Sequence, residues 1–284
     1  MNVQVINLDR HPSRLERMTG ALNDAGIIFQ RVPAMDGKSL TDADISAFVS
    51  QELKLRLSPS EVACMLSHRE AWRRFLATAG TFCCVLEDDV RLSPDFGSFL
   101  SSFDETTLPA FDVIKIETMG VKVRLGRKRF PCGPGFASAR LCSHHHGTAG
   151  YIVGRRGAER LLALTTKMDR PLDDMMFDEI APNRGSIKIL QLVPALCIQE
   201  ERLGKPLPNE EFASSIDPDR VPLRQPRKKR KRFAKIVREI GRPLEYLYHL
   251  PARFGTERVE VAFGKGRILQ PEPLFPVEST ARRG

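Results

Sequence analysis

The sequence predicts an α/β fold, a sandwich of helices around a mostly parallel central sheet, and three observations carry that prediction. Short apolar runs alternate with helix-period stretches along roughly the first 200 residues. The N-terminus reads strand, helix, strand, and a crossover of that kind joins parallel strands. A strongly marked helix pattern then runs straight into the apolar run 82–86, as alternating elements should.

Each element has its own signal. Val3-Gln4-Val5-Ile6 is a short β run. Pro12 opens a pattern that puts Leu15, Met18, Leu22 and Ala25 on one face, and Gly26 stops it. Residues 27–32 make the second strand, ahead of the turn signal Asp36-Gly37, and a short polar helix follows over 41–50. In SPSEVACMLSHREAWRRFLATAG, Ser58 is the N-cap, Pro59 the first helical residue and Glu61 the return arm of a capping box. Val62, Met65, Leu66, Trp72, Phe75 and Leu76 form its apolar stripe, and Gly80 ends it. The strand 82–86 follows at once. A helix starts at Ser93-Pro94-Asp95, strands cover 111–116, 148–153 and 187–192, and helices cover 155–164 and 173–180. Residues 120–147 are rich in Gly, Pro and Arg without a clear period, so no element is assigned to them.

Composition narrows the function classes. The chain has 284 residues, 42% of them hydrophobic, enough for one large domain or two small ones. No stretch approaches the roughly 20 apolar residues of a membrane span, and MNVQVINLDR has an acid where a signal peptide needs apolar residues. A cytoplasmic location is expected. Six cysteines show no C-x-x-C spacing, and Cys83 and Cys84 should face opposite sides of a strand, so free thiols are expected. The formal net charge of +9 is confined to residues 224–242, which hold ten Lys/Arg and one Glu, so the rest of the chain sums to zero. Composition shifts toward Pro, Arg and Lys beyond about residue 200, which divides a body, 1–200, from a basic, partly helical extension, 201–284. G-x-G-x-x-G after a strand, G-x-x-x-x-G-K-[ST] and G-x-S-x-G are all missing, so the dinucleotide, P-loop and α/β-hydrolase signatures are not met.

Chemistry concentrates in acids. Glu87, Asp88 and Asp89 stand at the carboxyl end of a strand, where open α/β sheets bind ligands. They read either as a solvated turn or as hard oxygen ligands for Mg2+ or Mn2+ carrying a nucleotide diphosphate. Asp173 and Asp174 complement a helix N-terminus, or one of them is the general base for an acceptor hydroxyl or a contact to a donor sugar. His68 lies on the long helix as a structural residue or a catalyst. His144-His145-His146 with Cys142 raise zinc, against which stands the rarity of consecutive histidines facing one ion. Arg10 and Arg14, one turn apart, meet a phosphate or line a wet helix face, with Asn7 and Asp36 at the ends of the first two strands.

Taken in order, VINLDRHPSRLERM, SEVACMLSHREAW, VLEDDV, GTAGYIV and PLDD resemble glycosyltransferase family 25, the lipooligosaccharide galactosyltransferase type, over roughly residues 1–200. The resemblance implies a GT-A-like nucleotide-sugar fold, a UDP-sugar donor such as UDP-galactose, and inversion at the anomeric carbon. It implies that Glu87 and Asp89 hold Mn2+ or Mg2+ with Asp88 between them, that Asn7, Arg10 and Asp36 fall near the uridine, and that Asp173 faces donor sugar or acceptor. An acceptor of the lipid-linked or cell-surface oligosaccharide kind is then expected. The first acid of the metal motif is Glu87 rather than Asp, and 120–147 match no part of the family pattern.

The tail carries its own expectation. Residues 227–232 are six consecutive basic residues, followed by Phe233, Ile236, Val237 and Ile240 at helical spacing. A segment of this kind over 224–250 suits an anionic membrane surface, the inner face of a membrane included, at about 1 kcal/mol per basic residue near the lipid. Nucleic-acid binding ranks below this, because aromatics for base stacking are scarce. A non-catalytic nucleotide-sugar or glycan-binding module is the alternative of a different class.

Overall fold

The computed structural model describes residues 1–49, 57–177, 187–203 and 255–265. The elements in chain order are β1 (Asn2–Asn7), α1 (Pro12–Asp24), β2 (Gln30–Pro33), α2 (Asp42–Phe48), α3 (Pro59–Leu76), β3 (Phe82–Glu87), β4 (Val90–Leu92), α4 (Phe96–Ser102), β5 (Val113–Lys115), β6 (Glu117–Thr118), β7 (Lys122–Gly126), β8 (Phe130–Gly133), β9 (Phe136–Arg140), β10 (Gly150–Gly154), α5 (Arg155–Leu164), α6 (Leu172–Phe177), β11 (Ile189–Val193), β12 (Cys197–Gln199) and β13 (Thr256–Glu260).

Eight strands form the central sheet in the order β2-β1-β3-β10-β5-β11-β9-β8. The expected βαβ unit is present, with β1 parallel to both β2 and β3. The sheet is nevertheless mixed, which corrects the expectation of a mostly parallel one. Strand β10 runs antiparallel between β3 and β5, and β9 runs antiparallel to β11 and β8. Apolar periodicity carries no strand direction, so this inversion leaves no mark in the sequence. Residues 120–147, where no element was assigned, supply β7, β8 and β9. Two smaller sheets, β4-β12-β6 and β13-β7, flank the main one.

Apolar side chains alternate across the sheet and feed two cores. Cys83, Val85, Val113, Tyr151 and Val153 pack with Trp72, Phe75 and Leu161 of α3 and α5. Cys84, Leu86, Ile114 and Ile152 pack with Met18, Leu22, Phe96 and Phe99 of α1 and α4. Cys83 and Cys84 thus face opposite sides, as expected, and all six cysteines are free.

Local chemistry sets the boundaries. α3 starts at the expected capping box, with Ser58 and Glu61 each bonded to the other's backbone. α1 ends in a Schellman motif: Gly26 has φ +69° and the Ile27 N–H donates to Leu22 O at 2.9 Å. That capping role keeps Ile27 out of the second strand, which starts at Gln30 instead of residue 27, and leaves Ile28 95% exposed. The helix expected over 173–180 is seen as Leu172–Phe177, and its remainder lies outside the described residues.

Candidate active site

The carboxyl ends of β1, β2 and β3 open onto a cleft of about 640 Å³, the position that open α/β sheets use for ligands. One face of α3 forms a wall through Ser60, Cys64, Ser67 and His68. The helix sits close because Gly37 lies under its first turn, where a β-carbon would come within 2.7 Å of the Ser60 nitrogen. The far wall is the 146–148 loop with Leu172 and Asp173, and Gln199, Glu201 and Arg202 close the rim.

At the base stand three carboxylates that the turn after β3 sends to three different partners. The Glu87 Oε1 accepts from Thr148 Oγ1 at 2.7 Å and lies 3.2 Å from His68 Nε2. His68 is itself fixed, with Nδ1 2.8 Å from the Tyr151 hydroxyl, which accepts from Trp72 Nε1 at 2.8 Å. Indole N–H can only donate. For a neutral ring, one assignment then gives every contact a donor: the Tyr151 hydroxyl donates to Nδ1 and Nε2–H donates to Glu87. Burial alone would raise the Glu87 carboxyl, but His68, Thr148 and the Lys115 charge outweigh it and hold its pKa below the usual value. Glu87 is therefore ionised, with both hydrogen bonds on Oε1 and Oε2 left for a ligand.

Asp88 is held by β1 and α1. Its Oδ2 accepts from Asn7 Nδ2 at 2.7 Å and its Oδ1 from Arg14 Nη1 at 3.3 Å. Both oxygens are thus engaged by the protein. Arg17 secures the same turn through Asp88 O at 2.6 Å and Val90 O at 2.8 Å.

Asp89 differs from both. Gln199 Nε2 donates to its Oδ2 at 3.2 Å, while the buried Oδ1 has no hydrogen-bond partner among the described residues. Burial first, then the charges of Glu87 and Asp88, push its pKa well above the ordinary value. A buried carboxylate oxygen without a donor is costly unless a ligand completes it. Glu87 and Asp89 together offer an all-oxygen, anionic donor set that fits a hard divalent cation such as Mg2+ or Mn2+.

Across the cleft, Asp173 accepts from the Gly147 N–H at 3.2 Å and from the Asp174 N–H at 3.0 Å, and His146 Nδ1 lies 3.6 Å from its Oδ2. Asp174 is bonded to His144 Nε2 at 2.8 Å and does not line the cleft. Gly147 joins the two acidic walls: its φ is +81°, and a β-carbon there would fall 2.6 Å from Glu117 Oε1. Its carbonyl accepts from Lys115 Nζ, a fully buried ammonium that also bonds Glu117 Oε2 at 2.8 Å and lies 4.2 Å over the Phe177 ring. The GTAG stretch is thus the strap that sets Thr148 against Glu87 and Gly147 against Asp173.

The expected site residues sort clearly. Arg10, Arg14, His68, Glu87, Asp88, Asp89 and Asp173 line one cleft. Arg10 pairs with Asp36, whose carboxyl is held below its usual range chiefly by that hydrogen bond. Asp36 also caps the short turn Gly37–Ser39 by accepting from Lys38 N. Asn7 is 1% exposed, and its amide is spent on Asp88, His11 O and Arg31 Nε. It therefore acts through Asp88. His68 lines the cleft with both ring nitrogens partnered, by Tyr151 and Glu87. Sequence reasoning missed Thr148, Gln199, Glu201, Arg202 and the Lys115–Glu117 pair. The last had a usable signal: Lys115 and Glu117 are two apart in a buried run and so share a face. The whole basic segment 224–250 lies outside the described residues.

A family model described as "Glycosyltransferase family 25 (LPS biosynthesis protein)" matches residues 1–176. The chain is 29% identical over 253 residues to the lacto-N-neotetraose biosynthesis glycosyltransferase LgtE of Neisseria meningitidis serogroup B, covering 85% of this chain and 90% of that one. It is 32% identical over 234 residues to LgtB of the same organism, covering 78% and 84%. Among solved structures, a glycosyltransferase involved in glycosylation of the major capsid of PBCV-1 aligns at a TM-score of 0.40 and 12% identity, over 71% of this chain and 98% of that one.

Proposed function

The chain belongs to glycosyltransferase family 25, and from that membership and the acidic cleft we propose that it moves a hexose, galactose in our reading, from a UDP-sugar to a hydroxyl of a lipid-linked or cell-surface oligosaccharide, with inversion and with Mn2+ or Mg2+. That it is a glycosyltransferase follows from the family; the donor, the outcome and the ion are the proposal. The single observation that carries it is the buried Oδ1 of Asp89, without a hydrogen-bond partner among the described residues, beside ionised Glu87 at the carboxyl end of β3. A GT-A-like description of the fold belongs to the same reading.

In that reading Glu87 and Asp89 would hold the ion, which when bound would supply positive charge against the charge gathering on the departing diphosphate. Arg14 and Arg202, on the cleft lining, lie where an anionic donor would pass, and Arg10 with Asp36 borders the end of β2. Asp173, aimed by the Gly147 and Asp174 N–H groups, takes the proton of the acceptor hydroxyl as its oxygen bonds to the anomeric carbon and the bond to the diphosphate breaks. One displacement inverts the centre. Measuring UDP release from a panel of UDP-sugars and oligosaccharide acceptors, with Mn2+ and with chelator, tests the reading. Turnover of UDP-galactose that requires the ion is expected; equal turnover in chelator, retained in an Asp89→Ala variant, would remove the metal from the scheme.

The membrane partner rests on residues 224–250 and on the chemistry of a lipid-linked acceptor. Among the described residues no helix is long and apolar enough to cross a membrane. Flotation with anionic vesicles is expected for the wild type and lost, about 1 kcal/mol per charge removed, in K228E/K229E/R230E. Unchanged flotation, or a nucleic-acid gel shift with no flotation, would overturn the assignment.

A further inference from the structure

His144, His146 and Asp174 meet at the back of the loop that forms the far wall of the cleft, and the function above makes no use of the two histidines. Consecutive histidines argue against a shared ion when all three must face it. The structure resolves that objection, because His145 is buried while the histidines on either side of it are not. His145 turns inward, 3% exposed, and its Nδ1 bonds His146 O at 2.8 Å. His144 and His146 stay solvent-accessible, their rings edge to face with centroids 4.0 Å apart. Asp174 comes to them from α6, and the three donor atoms lie within 4.8 Å of one another.

We propose that His144, His146 and Asp174 form a binding site for a transition-metal ion of the zinc class, separate from the all-oxygen set of Glu87 and Asp89. Two imidazoles and one carboxylate match the ligands that Zn2+ takes, at about 2.0–2.2 Å each, with a water or another ligand in the fourth place. Closing donors from within 4.8 Å to the roughly 3.4 Å edge of a tetrahedral site needs only side-chain rotation. Exposure leaves room for it, at 31%, 66% and 33% for His144, His146 and Asp174. The loop itself is pre-set by the buried His145 and by the Gly147 N–H on Asp173. Chemistry separates the two sites: imidazole selects zinc, copper and nickel, whereas carboxylates alone suit magnesium and manganese. Filling the site draws His146 away from Asp173, which keeps its two backbone donors.

The rival zinc site is Cys64, His68 and Glu87, whose donor atoms also cluster within 4.8 Å. There His68 has Tyr151 and Glu87 as partners already, and ligation would have to break the network that holds it. The experiment uses the full chain, freed of metal by chelation, titrated with ZnCl2 by calorimetry and with Co2+ as a spectroscopic probe. One ion per chain is expected, with imidazole–carboxylate rather than thiolate bands. Affinity should fall at least about a hundredfold in His144→Ala/His146→Ala, fall in Asp174→Asn, and stay unchanged in Cys64→Ser. Metal-free melting curves of the variants that overlay the wild type show that the loss is of ligands and not of fold. Wild-type affinity in the double variant, or loss in Cys64→Ser with a thiolate band, overturns the proposal.

Discussion

Replacing Asp89 with asparagine is expected to raise the melting temperature of the metal-free protein while lowering divalent-ion-dependent sugar transfer by about a hundredfold or more. The two effects share one cause. Asp89 is buried, one of its oxygens has no donor among the described residues, and Glu87 and Asp88 stand beside it. Its folded-state pKa is raised above the ordinary 3.8. The sign is then fixed: between those two values the folded state holds the extra proton, so stability is present below pH 3.8 and is lost as pH rises through the folded value. Above the folded value Asp89 therefore opposes folding. Asparagine keeps the shape, lets its carbonyl accept from Gln199, and removes the charge; relief of about 1–3 kcal/mol follows. Mn2+ should raise the melting temperature of the wild type, which binds it only when folded, and leave that of Asp89→Asn unmoved. A variant less stable than the wild type without metal, or stabilised equally by it, would contradict the assignment.

Breaking the Lys115–Glu117 pair is the second large effect. Lys115→Met should cost about 3–5 kcal/mol, because it leaves Glu117 fully buried without its cation. Burial already raises the Glu117 carboxyl above its usual 4.5, against the pull of Lys115. With the cation gone the rise grows, so the cost should be smallest near pH 4.5 and increase as pH climbs through the new value. The double variant Lys115→Met/Glu117→Leu should recover most of the stability, since two apolar side chains replace a pair whose desolvation offsets its attraction. Its activity should not recover. Gly147 would still lack the Lys115 bond that holds it between Glu87 and Asp173. Urea unfolding of the wild type and the two variants, set beside their transfer rates, separates the two roles; a double variant that regains full activity would show that the strap needs no anchor.

What the sequence disclosed follows a physical line. α3 is marked by contacts within one turn, so Ser58, Pro59 and Glu61 announce it without help from the rest of the chain. β10 is equally visible as a strand, but its direction depends on which neighbours it meets, and nothing local encodes that. β7 escapes altogether, since its partner β13 is far along the chain. The site divides the same way. Glu87, Asp88 and Asp89 stand out because three adjacent acids follow an apolar run directly, and Asp173 because it belongs to the PLDD stretch of the family resemblance. Gln199 and Arg202 look like ordinary residues at a compositional boundary until β12 brings them to the cleft. Asn7 and His68 are visible, but their bonds to Asp88 and Glu87 can be known only from the structure.

The late strand β13 sets the order in which the molecule can be finished during synthesis. Residues 255–265 give β7 its antiparallel partner, bury Val261 in the core and bond Ala195 through Ala262 O at 2.8 Å. A nascent chain that has emerged only to residue 250 holds every acid of the cleft, yet lacks the cover over β7. Its exposed strand edge is open to other chains for as long as the ribosome takes to complete it, a few seconds at about 5–20 residues per second. The basic segment, which ends at residue 250, is already out when that interval begins. A surface that captured it then would hold an unfinished protein, with the last strand still to dock.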